Sequence, residues 1–287
     1  MRRILITGAD SYIGLSLEQW LQRFPEQYQI DTLDVRGDTW QDYDFSAYQV
    51  VFHVAGIVHR STGKKQEIWE EYDRINTQLA LHVAERAKNA GVEQFIFMSS
   101  MSVYGNVERI TSDTKPKPES FYGASKWKAE QGLRKLSGPA FKIVLLRPPM
   151  VYGKEAKGNY PKLSNIARKT MIFPNVENRR SMIYVENLCE FIKLMIDHEE
   201  SGTFFPQDKE WMNTSRMVWE IANVWKHTVW FTKALAPAIW LGNHFPGKIG
   251  RMCQKAFGNC YYEMDMSEYK EDYRVCGLRE AVKRTER

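Results

Sequence analysis

The apolar positions of this chain change period in a repeating order. Ile4-Leu5-Ile6 is a short uninterrupted apolar run, as expected of a strand buried on both faces of a parallel sheet. It breaks at Thr7-Gly8 and gives way to helically spaced Leu15, Leu17, Trp20, Leu21 and Phe24. Further strands are predicted at 29–34, 50–56, 94–98 and 141–146. Between them Ile68, Tyr72, Ile75, Leu79, Val83 and Ala87 keep the 3.6-residue period of one long helix, and Gly91 supplies its stop. A second helix runs on from Ser120 through Trp127, Ala129, Glu130, Leu133 and Leu136. Five strand–helix units in sequence predict an α/β fold built on a doubly wound parallel sheet.

The alternation stops after Gly153. Residues 154–162 are polar and read as a substrate-facing loop, and Thr203-Phe204-Phe205-Pro206 reads as a strand added to the first sheet. The organisation expected is a nucleotide-binding domain over 1–152, with 181–206 returning to its sheet, and a smaller, mostly helical C-terminal substrate lobe over 153–287. That lobe is rich in aromatics from Trp211 on, and Trp219, Trp225, Trp230 and Trp240 are expected in its core.

Composition narrows the function. Hydrophobic residues make up 43% and charged residues 26% of the 287, which excludes wholesale disorder. The net charge of +5 comes without a Lys/Arg run, so it suits an anionic small molecule and gives no sign of a nucleic-acid arm. Cys189, Cys253, Cys260 and Cys276 form no C-x-x-C pair, so reduced thiols, a cytoplasmic location and no metal site are expected. The apolar start is too short for a signal peptide. The most apolar later stretch, Val229 to Gly242, is broken by Lys233 and Pro237 and falls short of the roughly 20 residues of a membrane span.

Two stretches carry candidate chemistry. Strand, Thr7-Gly8-Ala9-Asp10-Ser11-Tyr12-Ile13-Gly14, then helix is the context of a Rossmann-type dinucleotide fingerprint. Gly8 permits the tight turn, Gly14 allows close helix–strand packing, and the helix N-terminus offers N–H groups to a pyrophosphate. Ser11 stands at the middle glycine position; its side chain crowds the pyrophosphate but its hydroxyl can donate to a phosphate. Asp34 follows 26 residues after Gly8 and fits the ribose-binding acid, favouring NAD over NADP, with Arg36 close behind. Small residues at Val54, Ala55 and Gly56 let a ligand lie across the sheet edge, whereas His53 reads as a packed histidine. In the other stretch, Tyr122 and Lys126 stand four apart on one helix, where an ammonium would lower the phenol's pKa for acid–base work.

With these pieces in order the sequence resembles the extended short-chain dehydrogenase/reductases, and within them the NAD-dependent nucleotide-sugar epimerase/dehydratase family. The resemblance rests on T-G-x-x-x-x-x-G, Asp34, H-V-A-G, S-S-M-S-V-Y-G, Y-G-A-S-K, R-P-P-M-V-Y-G and N-R-R-S-M-I-Y-V-E-N-L. It implies NAD as cofactor and catalytic Ser100, Tyr122 and Lys126, with Lys126 also anchoring the nicotinamide ribose. By the same resemblance Ser11, Tyr12, Ile13, Asn76 and Pro148 join the cofactor contacts, and Ser102, Asn159 and Arg180 the substrate contacts, Arg180 on a diphosphate. The carbonyls around Pro148 and Pro149 are expected to be free for the nicotinamide amide.

A 4,6-dehydratase of this family carries Asp-Glu directly after the catalytic Ser/Thr, where Met101 and Ser102 stand here, so the resemblance disfavours dehydration. It implies a UDP-hexose 4-epimerase, with an NAD(P)H-dependent 4-ketoreductase of polysaccharide biosynthesis as alternative. A non-catalytic NAD(P)-sensing module is disfavoured by the intact Ser100, Tyr122 and Lys126. The helix over 68–90 and the one from Ser120 match the pair that forms homodimer interfaces in the family.

Overall fold

The computed structural model describes residues 1–58, 63–245 and 247–287. The first half runs β1 (Arg2–Thr7), α1 (Tyr12–Leu21), β2 (Tyr28–Leu33), β3 (Val50–His53), α2 (Lys65–Tyr72), α3 (Leu79–Asn89), β4 (Gln94–Met98), β5 (Arg109–Ile110), α4 (Phe121–Leu136) and β6 (Lys142–Leu146). Then come β7 (Met150–Tyr152), α5 (Tyr160–Ala167), β8 (Ile172–Pro174), β9 (Met182–Tyr184), α6 (Val185–Asp197), β10 (Gly202–Phe204) and α7 (Thr214–Val224). The chain closes with β11 (Trp230–Thr232), α8 (Ala236–His244), α9 (Lys248–Phe257), β12 (Tyr261–Tyr262) and α10 (Leu278–Glu286).

Six strands form one parallel sheet in the order β10-β6-β4-β3-β1-β2. The order reverses between β1 and β3, and it is at such a switch point that open α/β sheets bind ligands. Alternate residues of each strand enter opposite cores, which is why the strands read as unbroken apolar runs. Ile4, Ile6, Val50, Phe52, Ile96 and Met98 join one cluster with α1 and α6. Leu5, Val51, Phe95 and Phe97 join the other, packed on Ala80, Val83 and Ala87 of α3 and on Ala129 and Leu133 of α4. The expected strand near 203–206 is β10, which pairs with β6.

Two expectations are corrected. The long helix of 68–90 is interrupted: a π-helical turn over Asp73–Gln78 separates α2 from α3. The extra residue rotates the register so that Asn76 and Thr77 both face α4, where Asn76 bonds the Ser125 hydroxyl and Thr77 the Ser125 carbonyl. Such turns cluster at functional sites. Trp219, Trp225 and Trp230 are exposed, not core. Their hydrophobicity is partly met by surface partners: the Trp225 ring lies under the Arg168 guanidinium, and its N–H bonds Glu286. The Trp240 side chain lies outside the described residues. No helix of the described residues is long and apolar enough to cross a membrane.

Candidate active site

At the switch point, the residues after β1 and β3 are pulled together. The amides of Val54 and Ala55 both donate to the Thr7 carbonyl at 3.0 Å. Gly8 has φ +106°, and a Cβ there would lie 2.7 Å from the Ala55 nitrogen. A Cβ on Gly14 would meet the Ser11 Oγ at 2.6 Å and the Gly8 carbonyl at 3.1 Å. Only glycine fits either place. Ser11 caps α1, its Oγ accepting from the Gly14 amide at 3.1 Å, so its proton remains available for a phosphate oxygen. Tyr12 and Ile13 turn their side chains onto the core below α1. The Tyr12 hydroxyl sits under Gly153, where a Cβ would come within 2.4 Å of it. These two candidates therefore face the cleft with backbone only.

Asp34 stands just beyond β2 on the surface. Arg36 binds it through Nε, 2.9 Å from both carboxylate oxygens, and reaches Asp10 at 2.6 Å. Those bonds hold the Asp34 carboxyl below the usual range, so it stays ionised. A glycine cradle closed to any Cβ, a capped helix N-terminus and an ionised acid past the second strand fit a dinucleotide with an unphosphorylated ribose.

Ser100, Tyr122 and Lys126 meet where β4 and α4 converge. Ser100 leaves β4 extended, and its Oγ accepts from the Ser102 amide and reaches the Ser102 hydroxyl, each at 3.1 Å. The Ser102 carbonyl abuts the start of α4, where a Cβ on Gly123 would meet it at 2.3 Å. Lys126 is buried and donates to the Met98 carbonyl at 2.8 Å, its ammonium 4.6 Å from the Phe97 ring centre. Tyr122 is partly exposed. Burial pushes its phenol up to about 12, opposed by a hydrogen bond with Ser100, while the nearby Tyr72 phenol adds to the rise. The depression expected from Lys126 is absent here, because that ammonium is directed at the sheet. Burial pulls Lys126 itself down to about 7, with Glu130 opposing.

A depressed lysine has a sign in stability. Between pH 7 and the ordinary 10.5 the unfolded chain binds the proton that folded Lys126 has lost, so folding gains as pH rises through that window. The stability difference between the cofactor-free wild type and Lys126→Met should therefore grow with pH, by up to about 1.4 kcal/mol per unit. Urea unfolding at several pH values measures it, and a flat difference would contradict the burial of this amine.

Asn76 has spent its amide: Oδ1 accepts from the Ile57 amide at 2.8 Å, and Nδ2 donates to the Ile57 carbonyl at 3.0 Å and to Ser125 at 3.1 Å. It braces the loop after Gly56 against α4 and has little left for a cofactor. Gly56 is the close-approach point, since a Cβ there would meet Asn76 Oδ1 at 2.9 Å and Lys126 Nζ at 3.3 Å. The Pro148 carbonyl, expected free, accepts from the Met101 amide at 2.9 Å and ties the two strand exits together. His53 is a packed histidine, bonded to Thr7 at 2.7 Å and stacked on Phe95 and Phe97.

Sequence reasoning assigned no role to the buried charges behind this set. Glu130, one turn past Lys126, accepts from Ser99 Oγ at 2.5 Å and is gripped by Arg147 at 2.9 and 2.5 Å. Arg147 also bonds the Tyr104 hydroxyl at 2.6 Å, and its carbonyl accepts from Tyr262 at 2.9 Å. One carboxylate thus fixes α4 to the residue before Ser100 and the residue before Pro148. The i,i+4 step from Lys126 to Glu130 was the available signal.

The substrate candidates lie farther out. Arg180 is half-buried and bonds the Gly258 carbonyl at 2.9 Å, with no carboxylate partner among its described contacts. Its neighbour Cys260 approaches Met101, next to Ser100, at 3.5 Å between sulfurs. Asn159 is exposed at the start of α5 and makes no capping bond. Arg179, by contrast, covers the Trp211 ring.

This fold and cleft define an NAD-dependent enzyme of the extended short-chain dehydrogenase/reductase type. The chain belongs to the NAD dependent epimerase/dehydratase family, whose model matches residues 4–205. It is 27% identical over 291 residues to a UDP-glucose 4-epimerase of Vibrio cholerae, covering 92% of this chain and 84% of that protein. It is 30% identical over 240 residues to the N-acetyl-alpha-D-glucosaminyl-diphospho-ditrans,octacis-undecaprenol 4-epimerase of Escherichia coli O157:H7, covering 76% of this chain and 71% of that one. The crystal structure of a UDP-glucuronic acid 4-epimerase from Bacillus cereus in complex with NAD shares the fold. Its TM-score is 0.70 over 99% of this chain and 95% of that chain, at 17% identity.

Proposed function

We propose that this protein is a nucleotide-sugar 4-epimerase acting on a UDP-hexose. The observation that carries the reading is the placement of Ser100 where the chain leaves β4 and of Tyr122 in the first turn of α4, with Met101 and Ser102 where elimination of water would need an acid and a base. Ser100 holds the sugar O4 by its hydroxyl, and Tyr122 takes the O4 proton and later returns it through the same oxygen. Bound NAD supplies reversible hydride acceptance at C4. Gly8, Gly14, the α1 N-terminus and Asp34 hold that cofactor. Arg180, a planar donor with no carboxylate partner among the described residues, takes the substrate diphosphate, and the chain beyond Gly153 covers the sugar.

The purified protein should interconvert UDP-glucose and UDP-galactose with bound NAD and no net NADH. Stoichiometric NADH oxidation by a 4-keto sugar without interconversion would move the reading to a 4-ketoreductase. Absence of both activities would overturn it. Homodimerisation through α2, α3 and α4 belongs to the same proposal; a monomer in sedimentation velocity at micromolar protein would remove it.

A further inference from the structure

The lobe beyond Gly153 carries an apolar surface that the fold leaves uncovered. β8 and β11 pair with Ile172 opposite Trp230, and the Met171 carbonyl accepts from the Trp230 amide at 2.8 Å. Met171 is 73% exposed, Ile172 58% and Trp230 74%. The chain then turns at Lys233–Leu235 into α8, and Leu235, Leu241 and Phe245 are exposed as well. None of the six belongs to a buried apolar cluster. Helix α8 lies close on α9, for a Cβ on Gly242 would meet the Cys253 Sγ at 2.7 Å. The far end of α9 is anchored: Thr214 donates to the Ala256 carbonyl at 2.7 Å, and the Phe257 ring meets Phe173. The hairpin is held at its base, and Leu235, Leu241 and Phe245 stand exposed along α8 and its approach.

Charge selects what covers it. Between Glu220 and Glu263 the sequence holds Lys226, Lys233, Lys248, Arg251 and Lys255 and no Asp or Glu, and Arg168 and Lys169 precede Met171; Lys233 pairs with Glu177 at 3.6 Å and Arg168 with Glu286 at 3.3 Å, which still leaves an excess of positive charge. A second copy meeting this patch about a two-fold axis would set the basic segment against itself. An anionic lipid surface complements it, taking tryptophan and aliphatic side chains into the headgroup layer and the amines onto the phosphates. We propose that the α8–α9 hairpin and the Met171, Ile172, Trp230 edge dock this enzyme on an anionic bilayer, lying in the interface. Nine residues of α8 are too short to span it. The hairpin exits at Gly258, whose carbonyl accepts from Arg180, so its base is tied to the cleft. Docking does not depend on which sugar is turned over.

Co-sedimentation of the full-length protein with phosphatidylcholine vesicles, with and without a third of phosphatidylglycerol, tests this at low and high salt. Binding to the anionic vesicles should be at least roughly tenfold tighter and should weaken with salt. It should be lost in Trp230→Ser/Leu241→Ser/Phe245→Ser. It should weaken in Lys233→Gln/Lys255→Gln, a pair of exposed changes that serves if the triple variant does not fold. Absence of anionic-vesicle binding by the wild type overturns the proposal. So does a wild type whose oligomer falls apart in the triple variant with vesicle binding unchanged, which assigns the patch to a second copy.

Discussion

Tyr122→Phe should lower turnover by roughly 10²–10⁴-fold while leaving NAD bound and KM within a few-fold. The ring stays in place, and only the atom that exchanges a proton with O4 is lost. The size of the loss follows from where the phenol sits. Burial lifts it to about 12, Ser100 opposes that by a hydrogen bond, and Lys126 is turned to the Met98 carbonyl. In the free protein the phenol is therefore protonated at neutral pH. The fall toward neutrality that proton transfer requires must come with cofactor and substrate in place, so it is visible in the pH profile of turnover and not in titration of the free protein. Steady-state kinetics and the absorbance of retained NAD measure both parts. Turnover of Tyr122→Phe within tenfold of wild type would remove the phenol from the reaction.

The sequence made the sheet legible because both faces of its strands are covered, so each strand carries an apolar run independent of distant detail. Gly8, Gly14 and Asp34 were legible for a related reason: their chemistry is set by a turn and a helix start a few residues away. The π turn at Asp73–Gln78 was not, since the apolar period continues through it and only the hydrogen-bond register changes. Exposure of Trp219, Trp225 and Trp230 was equally hidden, because hydrophobicity tells what a side chain prefers and not whether the fold supplies a cover. Glu130 read as one more position of a helix, and its partner Arg147 comes from a strand exit 17 residues on. Tyr262, which reaches back to the Arg147 carbonyl from the C-terminal part of the chain, had no local signal at all.

Glu130→Gln should cost about 3–5 kcal/mol of folding stability, far more than a surface charge. Glu130 is fully buried and the Arg147 side chain is only 5% exposed. Together they form a desolvated pair, with Ser99 donating to the carboxylate and Tyr104 accepting from the guanidinium. The amide keeps the shape and one hydrogen bond but leaves Arg147 as a buried cation; Arg134, 3.6 Å from the carboxylate, would then add like charge. The double change Glu130→Leu/Arg147→Met removes both charges and should be less destabilising than Glu130→Leu alone, because the penalty belongs to the unpaired ion. Catalysis should fall further than stability explains. Glu130 is also the charge that opposes the depression of Lys126, and its loss lets that amine drop below about 7 and go neutral. Urea unfolding measures the first effect, and the pH dependence of turnover at saturating NAD the second. A cost under about 1 kcal/mol, as exposed pairs give, would mean that water reaches this carboxylate and that it does not clamp the three segments around Ser100, Lys126 and Pro148.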